Sequence, residues 1–263
     1  MKQLLSLEYI KLKKFHALKF ILLGYMIAVP SWMFFMNYFF QLEPKMKVIF
    51  TQEDPMTFPH LWSFITYSAS FFNVLLAVIV VTITTNDFQY KTMRQNIIDG
   101  LNKRDVIFGK FILVFALSAI ATTYTFLSGL LIGSVNSTPA DWYQNVHLIP
   151  LYALQTLGYF SFAFLFAIIV KRPAIAIITF IVYFPVETII GQIISRDLYQ
   201  FFPLKVFADL TPIPFFKAIL ATSSSNQGRN IFVLDDQTRI ILSVVYVLLF
   251  FVGTYWILKR KDL

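Results

Sequence analysis

The chain has 263 residues, 57% of them hydrophobic, with 30 Phe, 13 Tyr and no Cys, and a formal charge of +8. Its mean hydropathy of +0.68 is far above that of a soluble domain. The absence of Cys excludes a disulfide framework and a thiolate metal site. The basic balance does not point to nucleic acid, because the cations flank apolar stretches instead of forming a soluble basic domain, and so face anionic lipid headgroups.

Residues 2–19 come first. Leu4, Leu7, Ile10, Phe15 and Leu18 recur at helical spacing, with Lys2, Glu8, Lys11 and Lys14 between them. This pattern predicts an amphipathic helix over 1–19 lying in the membrane interface, the alternative being an ordinary cytoplasmic extension of the first span. The apolar run that follows is too long and too late for a cleaved signal peptide.

Six charge-poor apolar stretches then fill the chain: Phe20–Phe40, Leu61–Asn86, Phe111–Ala140, Trp142–Val170, Ala174–Ser195 and Ile240–Leu258. A hydrocarbon core of about 30 Å needs roughly 20 apolar residues in a helix. A mid-helix Lys, Arg or Asp costs roughly 2.5–3.5 kcal/mol on insertion scales. The expected fold is therefore an all-α integral membrane protein with six transmembrane helices, forming one domain over 1–263. If the N-terminus is inside, 15 of the 22 Lys and Arg lie on the inner side and seven on the outer. The positive-inside rule then gives an N-in/C-in topology.

The most polar segment on the predicted inner side is 86–110. Asp87 and Lys91 have the four-residue spacing of a helix-supporting ion pair. Gly100 suits the position just past a helix C-terminus. Asn102 can cap a new helix, with Asp105 three residues on. The reading is a helix, a sharp break at Gly100-Leu101, and a second helix entering span three. Ile97, Ile98 and Leu101 form an apolar knob ringed by Lys91, Arg94, Asn96, Lys103 and Arg104. Such a knob fits the groove of a soluble partner. A plain solvated loop with inside-positive charge accounts for the same residues equally well.

The hairpin Lys171-Arg172-Pro173 separates spans four and five, with Pro173 suited to a first helical position; it is a plain charged turn on the inner side or a second, minor contact to a soluble partner. Glu187 is the one acidic residue inside a predicted span. It lies about 20 Å along span five at 1.5 Å per residue, in the outer half. An ionisable group there is costly and is by default a functional hypothesis. It faces a subunit interface or outer vestibule on the translocation path, or it reaches the headgroups or Arg196. Pro185 is placed to break the helix beside it. The outer gap 196–239 is apolar over 201–221 but carries Pro203, Pro212, Pro214, Lys205, Asp209 and Lys217. It predicts short re-entrant or interfacial helices and no seventh span.

No P-loop is present. Gly109-Lys110 is followed by Phe111, and no Gly lies five residues before it. The histidines His16, His60 and His147 lie near span ends, far apart in sequence. No HExxH, Ser-His-Asp order or paired intramembrane carboxylates appear, so no catalytic, cofactor or metal site is expected.

Topology and motif together resemble the permease subunits of the ABC-2 type transporter family over nearly the whole length. The local match is Asp87-x3-Lys91-Thr92, then Gly100, Arg104 and Gly109-Lys110. The chain has Asp where Glu is common and lacks the Pro frequent after the helix. The resemblance implies that Asp87, Lys91, Thr92, Arg94, Asn96, Ile97, Ile98, Lys103 and Arg104 belong to a coupling segment contacting an ABC ATPase subunit. ATP would be bound by that partner, not by this chain. It further implies a second permease subunit, alike or related, a place in the inner (plasma) membrane, and an exporter whose outer elements between spans five and six cover the exit. Apolar, aromatic walls favour an amphipathic or lipid-like substrate. A membrane scaffold or immunity protein without transport, and an ion-coupled carrier, are the competing classes.

Overall fold

The computed structural model describes residues 16–42, 54–136, 141–211, 214 and 234–260. Within them, six helices have the length and apolar composition to cross a bilayer. They are α1 (His16–Leu42), α2 (His60–Gln89), α4 (Lys103–Asn136), α5 (Leu148–Val170), α6 (Pro173–Ile193) and α9 (Asp236–Arg260). Three short helices join them: α3 (Thr92–Ile98), α7 (Arg196–Tyr199) and α8 (Pro203–Ala208). The predicted interfacial helix lies outside the described residues up to position 15. Residues 16–19 are already the first turn of α1.

The bundle is built around α2 and α5, which pack on each other more extensively than any other pair; α5 also touches α4, α6, α8 and α9. Small and hydroxyl-bearing residues are buried on both helices: Ser68, Ala69, Ala77 and Thr84 on α2, and Ser161, Ala163 and Ala167 on α5. With lipid as apolar as leucine, helices associate through close packing of small residues and interhelical hydrogen bonds, so such residues collect at contacts. α1, α6 and α9 are peripheral and turn rows of Phe, Ile, Val and Leu outward. That outward apolarity is what a lipid-facing surface requires.

One polar chain crosses the centre. Tyr152 donates to Asn73 Oδ1 at 2.9 Å, and Asn73 Nδ2 donates to Thr156 Oγ1 at 3.1 Å. Because the only Tyr152 proton is spent on Asn73, the 2.9 Å contact between the Tyr25 and Tyr152 hydroxyls is donated by Tyr25. Three helices, α1, α2 and α5, are thereby joined by neutral groups alone.

Several boundaries differ from the sequence reading. Span four begins at Leu148, not Trp142, because 141–147 form turns, with Asn145 left-handed. The segment read as membrane because Val146 packs on the Trp62 cluster and Trp62 Nε1 bonds the Trp142 carbonyl at 2.6 Å. The helix of span three starts at Lys103, just after Asn102, where the sequence places it. Pro185 does not break α6; the helix runs through it to Ile193. Neighbouring helices and local helix adjustments make an intrahelical proline tolerable in a membrane.

Candidate functional site: the elbow between spans two and three

At 30 and 34 residues, α2 and α4 are about 45 and 51 Å long, longer than the roughly 30 Å hydrocarbon core. Their joined ends and α3 between them form an elbow at one end of the bundle. α2 ends at Gln89, and Lys91 turns the chain in a left-handed conformation (φ 55°). α3 follows and is closed by a Schellman motif. The Gly100 amide donates to the Ile97 carbonyl at 3.1 Å, and the Leu101 amide to the Asn96 carbonyl at 3.0 Å. Gly100 has φ +97°, a conformation that side-chain-bearing residues avoid. The break at Gly100-Leu101 thus stands where the sequence places it. Asn102 accepts the Asp105 and Val106 amides on its backbone carbonyl. Its side-chain amide donates to the Asp105 carboxylate at 3.4 Å, so these two side chains meet each other.

The elbow is fixed by a buried carboxylate. Asp87 accepts a 2.6 Å hydrogen bond from Thr92 Oγ1 on one oxygen and pairs through the other with Lys110 Nζ. Both ionic side chains are buried. The expected helical pair Asp87–Lys91 is therefore not made. Lys91 leaves the helix and is exposed, while the cation 23 positions on, one helix over, meets Asp87. This three-residue clasp joins α2, α3 and α4. Met93, 2% exposed, fastens α3 to the bundle by its apolar side.

Of the predicted contact residues, Asp87 and Thr92 are brought together in this clasp. Lys91, Arg94 and Arg104 are exposed, Asn96 and Ile97 are half-buried, and Ile98 is 75% exposed. The Lys103 side chain lies outside the described residues. Lys110 was missed as a site residue. Its signals are a Lys on the threshold of a long apolar run and its place in the Gly109-Lys110 pair of the family match.

Glu187 belongs to a separate region at the opposite end. It is 2% exposed. Its carboxylate accepts the Lys205 amide at 2.8 Å and the Leu204 amide at 3.4 Å. Those are first-turn amides of α8, which have no carbonyl partner within their own helix. Glu187 thus caps α8 from another helix. The buried face of α8, Leu204, Val206 and Phe207, packs on α5. A Cβ on Gly158 of α5 would overlap the Phe207 ring. Thr211 donates to Gln155 at 2.9 Å, and Arg239 of α9 bonds the Leu234 carbonyl at 2.7 Å and the Asp209 carbonyl at 3.4 Å. Burial, with the Glu187 charge adding to it, pushes the Tyr199 phenol above its ordinary value, so it stays protonated at neutral pH. The predicted elements beyond Thr211, through 215–233, lie outside the described residues. Among the described residues no three His, Asp or Glu side chains gather as a metal site would need.

The ABC-2 family transporter protein family matches the chain over residues 6–263. The chain belongs to that family. No curated protein matches it closely enough to add a named relative. As an ABC-2 protein with six membrane-crossing helices, it is a permease component of an ABC transporter. In this permease the elbow and the α8 region stand at opposite ends of one bundle, each held by a single buried acid.

Proposed function

We propose that the elbow is the surface through which a separate ABC ATPase subunit drives this permease, and that the transporter is an exporter. The observation that carries the reading is the combination of a rigid mount and an exposed tip. Asp87, Thr92, Lys110 and Met93 hold α3 to two spans, while Ile98 stands 75% exposed beside Arg94. A lever needs both: a tip that a partner can grip and a base that transmits displacement to the helices. Closure of the ATPase pair on ATP would push α3, and α2 and α4 would move with it.

In this scheme the N-terminus and the elbow face the cytoplasm, as the cation distribution favours. The protein sits in the plasma membrane, and two permease subunits pair through peripheral helices. Glu187 enters through α8. An outer element held by a carboxylate on span five moves when span five moves, which gives Glu187 its place on the translocation path. The apolar walls favour an amphipathic or lipid-like cargo.

Co-expression with the ATPase subunit, affinity capture and measurement of ATP hydrolysis test the reading. The wild-type permease should retain the ATPase and raise its activity. Ile98→Asp and Arg94→Glu should each weaken retention at least tenfold while the permease still elutes as a folded species. Undiminished retention by both variants would move the drive surface elsewhere.

A further inference from the structure

A cavity of about 730 Å³ opens beside the elbow, between the end of α2 and the α5–α6 hairpin. Four cations line it: Lys91, Arg94, Lys171 and Arg172. Asp87 is the only carboxylate in the lining, and Lys110 neutralises it. Among the described residues none of the four is in an ion pair. The cavity is therefore an uncompensated basic pocket, and the field of four converging cations favours an anion.

Two details mark the cations as specifically placed. Lys91 (φ 55°) and Lys171 (φ 59°) are two of the three non-glycine residues with left-handed backbone among the described residues. Glycine would sit there with less strain, yet both positions hold a lysine in the same pocket. Lys171 Nζ also lies 5.5 Å from the Phe88 ring centroid, a cation–π contact that holds the ammonium at the wall. The pocket further includes the first turn of α6, Pro173 to Ile175, which carries no acidic side chain. Its amides add the positive end of a 21-residue helix dipole.

Apart from Gln89 and the paired Asp87, the remainder of the lining is apolar and leads outward. Ile175 is half-exposed at the pocket edge, and Ile178, Val182, Val186 and Ile189 continue from it along α6 at helical spacing, all exposed. A basic pocket at a span end, continuous with an apolar stripe along the membrane face, matches a ligand with an anionic head and hydrocarbon tails. We propose that this cavity binds the phosphate headgroup of an anionic phospholipid, with its acyl chains along α6.

The test uses the full-length permease alone in neutral detergent, so its result is independent of ATPase coupling. Native mass spectrometry with equimolar dioleoyl phosphatidylglycerol and dioleoyl phosphatidylcholine should show at least tenfold preferential retention of phosphatidylglycerol. Each cation removed should cost about fivefold. Lys171→Gly, which suits the left-handed backbone and so preserves the fold, should lose about fivefold, and K171Q/R172Q about 25-fold. Ile178→Asn should weaken lipid retention, and inorganic phosphate at equal concentration should not displace the lipid. Equal retention of the two lipids, or an unchanged preference in both cation variants, would overturn the proposal. Displacement by phosphate alone would replace it with a small-anion site.

Discussion

The two ends of the bundle solve the same physical problem with different partners. At the elbow, buried Asp87 is matched by a full charge on Lys110 and a hydroxyl on Thr92. At the opposite end, buried Glu187 is matched by backbone amides at the start of α8. A carboxylate taken out of water loses several kcal/mol of hydration and must recover it locally. The ion pair recovers it through a second ion that is itself desolvated, so each partner depends on the other. The α8 cap recovers it through dipoles that remain neutral if the acid is removed. The first arrangement is a stiff mutual lock, and the second is a one-sided hold on a short, separable element.

The largest expected effect breaks the lock. Asp87→Asn or Lys110→Met leaves one buried charge without its counterion, which typically costs about 3–5 kcal/mol. Thermal unfolding in detergent should show either variant strongly destabilised, and the purified permease should lose its ATPase. The double variant D87L/K110M removes both charges and should recover most of the stability, because apolar replacement of a buried pair is often neutral. Recovery of fold without recovery of ATPase stimulation would separate the proposed mechanical role of the clasp from its stabilising one. A double variant as damaged as the singles would show that the pair is not an isolated two-body lock.

A smaller effect is expected at Glu187. Glu187→Ala removes the acceptor from two amides of α8, a loss of about 1.5–3 kcal/mol for hydrogen bonds to a charged group. Glu187→Gln keeps a neutral carbonyl and should lose about half as much. Because α8 packs through Leu204, Val206 and Phe207, the loss should appear as local opening. Hydrogen exchange at 203–209 should accelerate, while amides in α2 and α5 remain protected. Global unfolding on Glu187→Ala would erase the contrast between the two ends.

The sequence made the architecture legible because a 20-residue apolar window, in a chain this hydrophobic, fits little besides a membrane span. It also made the Gly100 break legible, since a left-handed position at a helix end strongly favours glycine. It misassigned the partner of Asp87. Four-residue spacing to Lys91 implies an ion pair only while the helix continues, and the chain leaves the helix at that lysine. Lys110 is 23 residues away, and nothing in local periodicity links it to Asp87. The Glu187 contact was invisible for another reason: its partners are main-chain amides, which carry no residue-type signature. Trp142 and Val146 extended a predicted span because apolar residues that pack on a protein cluster look the same as residues that face lipid.

A neutral polar site between the two ends supplies the reference for both. The Tyr25–Tyr152–Asn73–Thr156 chain is buried but contains no ion. Interhelical hydrogen bonds of this kind contribute about 0.6 kcal/mol on average in membranes, and at most roughly 1.7. Asn73→Leu fills similar volume and leaves the Tyr152 hydroxyl without its acceptor. Its stability loss should fall within that range, well below Lys110→Met, in the same detergent and by the same melting measurement. A cost equal to that of Lys110→Met would mean that burial of any polar group, and not the unpaired charge, sets the energetics of this bundle. In that case the distinction between a mutual ionic lock and a one-sided cap would lose its physical basis.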